Sequence, residues 1–218
     1  MVMPPLIWYA AYGTNLDAAR LDCYLVGGTP PGGARAAPGA RDPRPPRAVR
    51  TVDLPGSVYF AWDSPTWGGG VAFLDPTAAG TSPGRAYLLT QEQFSDVVAQ
   101  EMHRPPGVDL DLAVLGGERM WAFGDGRYET LHVVDEIDGD LVVTFTAPAS
   151  APLDYRAPSA AYLTVMGRGL LASRGWEPAR VADYLVGCRG IGEQWDGASV
   201  AALLDGFDPS EPGVPVGG

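Results

Sequence analysis

Residues 6–16 read Leu-Ile-Trp-Tyr-Ala-Ala-Tyr-Gly-Thr-Asn-Leu. The unbroken apolar and aromatic run from Leu6 to Tyr12 predicts a buried core strand, and Gly13 ends it in a turn that a residue carrying Cβ resists. Thr14 and Asn15 follow as small polar residues just ahead of a helix, where the first N–H groups have no intrahelical partner. Such groups attract a carboxylate or an oxyanion, so residues 13–16 form a candidate anion cradle. The alternative is an ordinary N-cap in which Asn15 or Asp17 accepts those N–H bonds. In the helix itself Leu16, Ala19, Cys23 and Val26 fall on one face, and Gly27-Gly28 is the stop signal.

Outward from this unit, residues 27–55 turn rich in Pro, Gly and Arg, with arginines at 35, 41, 44, 47 and 50. Regular structure is not expected there. The segment either recruits an anionic substrate or is a solvated excursion that offsets the surrounding acidity. Strand-like runs follow at Ser57–Trp62, Gly70–Leu74, Gly84–Leu89, Tyr128–Val134 and Leu141–Thr146, the last two joined as a hairpin through Asp138-Gly139-Asp140. Their imperfect alternation predicts strands covered on both faces or closed into a barrel. Trp67-Gly68-Gly69-Gly70 opens directly into the strand Val71-Ala72-Phe73-Leu74, and glycines in that position mark the close approach of a ligand or of another backbone.

A second helix begins at Thr90, where Thr90-x-x-Gln93 is a capping box, and Pro105-Pro106 lies beyond its end. Phe94, Val97, Val98 and Met102 form its core-facing stripe, while Glu92, Ser95, Asp96 and Gln100 take the solvent side. Glu101 lies inside the apolar stripe. A carboxylate pointed inward is paired, protonated or facing a cavity, and a raised pKa there suits a general acid/base. The competing reading is a helix end that rotates outward or pairs with Arg104. A third helix is predicted over Ser159–Arg174 and a fourth from Pro178, with 211–218 as a frayed tail.

A formal charge of −11 argues against a general nucleic-acid or anionic-membrane surface. All fifteen basic residues are Arg, which removes lysine chemistry and fits a GC-rich, bacterial coding bias. Cys23 and Cys188 have no metal or redox spacing and read as buried thiols. His103 and His132 lack any zinc-ligand spacing, and no serine elbow is present, so neither a metal site nor a serine triad is predicted. No targeting or membrane-spanning run is apparent, which predicts a cytoplasmic location.

Together these pieces resemble the gamma-glutamylcyclotransferase-like family. Tyr9-Ala10-Ala11-Tyr12-Gly13-Thr14-Asn15-Leu16 is similar to its Tyr-Gly-Ser-Asn-Leu loop, with Thr14 in place of serine. Thr66–Ala72 is similar to its Trp-Gly-Gly strand entry, Gln100-Glu101 to its catalytic glutamate, and Pro158–Tyr162 to its later tyrosine segment. The resemblance implies an α+β fold, a mixed β-barrel with surrounding helices and, here, extra C-terminal helices. It implies one domain over 1–218 with a core of about 6–175, the Arg/Pro-rich loop 27–55 and a helical extension over 176–210. It also implies cyclisation of a γ-glutamyl amide to 5-oxoproline with release of an amine or amino acid, without cofactor. Glu101 would be catalytic; Tyr12, Gly13, Thr14, Asn15, Leu16, Gly69, Gly70 and Tyr162 would bind the small-molecule substrate. Alternatives are removal or transfer of a γ-glutamyl-type acyl group in a specialised pathway, and a non-catalytic ligand-binding relative. The oligomeric state stays open, a homodimer included.

Overall fold

The computed structural model describes residues 5–148, 151 and 153–207. The tail at 211–218 and the last three residues of the extension lie outside them.

The opening run forms β1 (Leu6–Ala11), whose residues from Ile7 onward are all buried. A strand covered on both faces belongs in the middle of a sheet. Here β1 pairs antiparallel with β5 (Thr81–Thr90) on one side and parallel with β8 (Asp140–Thr146) on the other. Outside β5 lies β2 (Val49–Pro55); outside β8 lie β7 (Thr130–Ile137) and then β6 (Met120–Ala122), giving a six-stranded sheet of order β2-β5-β1-β8-β7-β6. β3 (Ser57–Ser64) and β4 (Gly69–Asp75) form a separate antiparallel pair. The predicted 130s–140s hairpin is therefore present as β7–β8.

The fold is α+β, as expected, but the wall is not closed by a continuous hydrogen-bonded ladder. Side chains bridge β4 to β8 instead: Thr146 Oγ1 accepts from Leu74 N–H (3.0 Å) and donates to Leu74 C=O (2.8 Å). Phe73, Tyr128, Phe145 and Tyr9 continue the contact as a chain of aromatic rings with neighbouring centroids 4.9–5.8 Å apart.

Two helices flank the sheet near β1. α1 (Ala18–Val26) is capped by Asp17, whose carboxylate accepts from Ala19 N–H. Its buried face is Leu21, Tyr24, Leu25 and Arg20, not the predicted Ala19–Cys23–Val26 face; Val26 is 68% exposed and Cys23 only half-buried. The face is rotated because a 3₁₀ turn over Thr14–Leu16 precedes the helix, and Leu16 belongs to that turn. α2 (Gln91–Glu101) carries the predicted Thr90–Gln93 capping box.

Ser95, Asp96 and Gln100 are buried rather than solvent-facing. Leu110 N–H donates to Ser95 Oγ, and the Arg/Pro-rich segment covers the other two: Arg41 N–H and Nε donate to the Asp96 carboxylate, Gly39 N–H donates to Gln100 Oε1, and Gln93 Nε2 donates to Arg44 C=O. That segment is neither structureless nor wholly solvated, since it packs on α2 and ends in β2.

α3 (Ala160–Arg174), α4 (Pro178–Val186) and α5 (Gly197–Ala202) follow as the late helices, α4 with Pro178 in its first turn as expected. Gly175 ends α3 in the left-handed conformation (φ 60°). The chain after α4 returns to β3, where Phe60 N–H donates to Arg189 C=O (2.8 Å), and so protects that strand's edge. No helix among the described residues is long and apolar enough to cross a membrane.

Candidate active site

One cavity opens where the end of β1, the start of α1, the β3–β4 pair, the end of α2 and the N-terminus of α3 meet. Of the residues singled out from sequence, it brings together Glu101, Tyr12, Gly13, Thr14, Asn15 and Tyr162. Leu16, Gly69 and Gly70 do not line it. Leu16 is fully buried and its N–H donates to Gly13 C=O, so neither side chain nor N–H faces a ligand. The glycines serve another backbone: Gly70 N–H donates to Ala157 C=O (2.8 Å), and a Cβ on Gly70 would lie 1.9 Å from Arg156 C=O.

Glu101 is the last residue of α2 and the one acid among the described residues lining the cavity. Asn15 Nδ2 donates to Glu101 Oε1 (2.9 Å) and to Tyr9 Oη (2.9 Å). Arg127 Nη2 donates to the Glu101 carbonyl (2.7 Å), which fixes the backbone at the helix end. Arg104, the sequence-based alternative partner of Glu101, pairs instead with Glu129. The Asn15 backbone is held in turn, because Tyr87 Oη donates to Asn15 C=O (2.8 Å). The carboxylate is thus positioned through a residue that the β1–α1 turn itself presents.

Tyrosines form much of the wall. Tyr12 Oη donates to Phe145 C=O, Tyr128 Oη donates to Ala72 C=O, and Tyr162 Oη accepts from Ala72 N–H, each at 2.8 Å. Burial first, and then the Glu101 charge, holds the Tyr9 and Tyr24 hydroxyls above their ordinary pKa. Burial dominates at Tyr162 as well, opposed by the backbone N–H groups of Ala72 and Thr14 that approach its oxygen. Part of the loop's donor set is used within the protein: Leu16 N–H donates to Gly13 C=O and Asp17 N–H to Thr14 C=O.

Among the cavity residues that the sequence reading did not place in the site are Arg20, Arg127, Trp62 and His103. Arg20 and Arg127 each lay the guanidinium over an aromatic ring, Tyr24 at 3.9 Å and Trp62 at 4.2 Å. Trp62 and His103 both have left-handed backbones (φ 62° and 56°), a costly conformation for residues with bulky side chains that concentrates at functional sites. Trp62 adopts it at the irregularity in β3 between Ala61 and Ser64. His103 lies just past the end of α2, and burial, then Arg127 and Arg35, lowers its pKa. Only the composition of the β3 and α2 ends was visible in sequence; nothing there signalled the strained turns.

No family model matches the chain. A solved gamma-glutamyl cyclotransferase superposes with a TM-score of 0.51 over 91% of this chain and 98% of its own, at 12% identity. An uncharacterized protein from Homo sapiens aligns over 97% of this chain and 94% of its own, with a TM-score of 0.45 and 12% identity. Histone deacetylase 5 from Arabidopsis thaliana is 30% identical over 184 residues, 76% of this chain. The chain spans 28% of that plant protein, whose name therefore describes a molecule lying mostly outside the match. The fold is that of gamma-glutamyl cyclotransferase.

Proposed function

We propose that this chain cyclises γ-glutamyl amides to 5-oxoproline, releasing an amine or amino acid, with Glu101 as the proton carrier. The observation that carries the reading is a single carboxylate on the cavity wall, oriented by Asn15, in a chain with the cyclotransferase fold. The substrate's α-amino nitrogen attacks its own γ-carbonyl carbon and forms the lactam C–N bond. Glu101 removes the proton that the nitrogen sheds. Collapse of the tetrahedral centre breaks the original amide C–N bond, and Glu101 returns the proton to the departing nitrogen.

Because the nucleophile is already part of the substrate, the protein's main task is to hold the chain folded back on itself. Such positioning is worth up to several powers of ten in rate. The aromatic walls of Tyr9, Phe145 and Tyr128 suit this work, since they exclude water and leave little room for an extended conformer. Asn15 Oδ1, buried without a partner, offers an acceptor beside Glu101 for an N–H of the substrate's neutral α-amino group.

Release of 5-oxoproline from a panel of γ-glutamyl amines and dipeptides tests the reading, with wild type and Glu101→Gln compared after circular dichroism shows both folded. The variant is expected to lose about 10²- to 10⁴-fold in rate, the usual worth of a positioned general acid/base. Product formed equally fast by the variant would remove Glu101 from the mechanism.

A second reading, transfer or removal of a γ-glutamyl-type acyl group from a larger metabolite, is favoured by one feature. A second pocket shares Arg20, Tyr24, Thr66 and His103 with the first and extends along Arg35–Pro38 and Arg104. It provides room beyond Glu101 for a bulky leaving group. Preference for large γ-glutamyl amides over γ-glutamyl dipeptides in the same panel would select this reading.

A further inference from the structure

Arg20 is 5% exposed, lies on the cavity wall and makes no ion pair among the described residues. Its Nη2 donates to Tyr24 Oη, while Nε and Nη1 are buried without any hydrogen-bond partner. A guanidinium does not lose its proton inside a protein, so this is a permanent charge removed from water with two donors left open. Leaving such a group uncompensated is strongly unfavourable. Burial works against the Arg20 charge, which Tyr24 and then the nearby Glu101 support, yet the Glu101 carboxylate bonds to Asn15 and not to the guanidinium. Tyr24 stands next to both, its hydroxyl accepting from Arg20 and feeling the charge of Glu101.

The cavity thus presents open donors at Arg20 and an open acceptor at Asn15 Oδ1 beside the Glu101 carboxylate. That is the complement of a carboxylate and an amino group borne by one carbon. We propose that Arg20 anchors the α-carboxylate of the substrate, so that the site accepts γ-glutamyl groups with a free carboxylate and rejects their neutral analogues. This inference rests on the cyclisation reading and names the part of the substrate that the reading leaves unread. It also replaces part of the backbone cradle expected from residues 13–16, whose Leu16 N–H is already bonded to Gly13 C=O.

The test is binding rather than turnover, which keeps it separate from the chemistry. Calorimetry with L-5-oxoproline and its neutral carboxamide, on the unaltered protein, is expected to favour the acid by roughly 10- to 100-fold, the worth of hydrogen bonds to a charged group. Arg20→Gln should abolish the preference, Arg20→Lys should restore part of it, and Glu101→Gln should retain it. Equal affinity for acid and amide, binding of neither, or a preference that survives in Arg20→Gln would overturn the anchor. A preference that depends on Arg20 in a protein that turns over no γ-glutamyl amide would uphold the anchor and sink the cyclisation reading instead.

Discussion

Asn15 meets two demands with two groups: its side-chain Nδ2 joins Tyr9 to Glu101, and its backbone C=O accepts from the Tyr87 hydroxyl. Removing the side chain leaves the backbone bond intact and frees the carboxylate to rotate. On the cyclisation reading, Asn15→Ala should lower kcat about 10- to 100-fold, within the range of a misplaced acid/base, and raise KM as well, because the Oδ1 acceptor for the substrate is lost with the side chain. Steady-state kinetics check this, because a merely destabilised protein would lose active molecules and so lower the apparent kcat with KM unchanged. Glu101 was legible in the sequence because it interrupts an apolar stripe, a conflict between pattern and chemistry that usually marks function. Arg20 was not legible: it reads as an ordinary polar residue between Ala19 and Leu21, and only the rings of Tyr24 and Trp67 reveal that it is buried. The glycines at 69 and 70 announced a close approach, but its partner is the backbone of Arg156–Ala157, more than eighty residues along the chain.

At the scale of elements, α2 was predicted with one face in water and is instead enclosed on both sides. Its polar residues are not solvated; they supply hydrogen bonds to a segment that has few of its own. Asp96, wholly buried, accepts from Arg41 N–H, Arg41 Nε and Gly107 N–H, and so ties two loops to the helix that ends in Glu101. Asp96→Ala strands those donors and should cost about 3 kcal/mol, the scale of breaking a buried charge pair, which for a chain of this length is a drop in Tm of roughly 6–12 °C. A thermal melt reads the outcome, and a change under about 2 °C would show that the loops hold without it. Periodicity hid this face because a side chain that bonds to buried backbone and one that bonds to water have the same composition. β2 was missed for a related reason. Only Leu54 in it is buried, and its order comes from pairing with β5 over Val49–Pro55, a partner that no local pattern announces.

The whole molecule has concentrated its tyrosines around the cavity and the sheet that carries it. Burial is the first cause of a raised hydroxyl pKa at Tyr9, Tyr12, Tyr24, Tyr87, Tyr128 and Tyr162. The wall's tyrosines stand beside Glu101, the one carboxyl group among the described residues lining the cavity, which suits the proposed passage of a single proton. The same arrangement sets an alkaline limit on the fold. A group whose folded pKa lies above its unfolded value of about 10 contributes stability that is fully present below that pH and is lost as pH rises toward the folded pKa. Each such tyrosine then costs about 1.4 kcal/mol per pH unit, so six together remove roughly 8 kcal/mol per unit, comparable to the entire stability of a typical domain. Cys188, whose thiol burial pushes up to about 12, adds to the loss from about pH 8.5 upward. The protein should therefore hold its fold to about pH 10.5 and unfold cooperatively between about pH 11 and 12. Tyrosinate absorbance should climb in one step that coincides with the loss of far-ultraviolet circular dichroism. A gradual rise of the signal for all six groups in a protein that keeps its dichroism would mean that water reaches the hydroxyls, and with them the cavity on which the proposed proton transfer would depend.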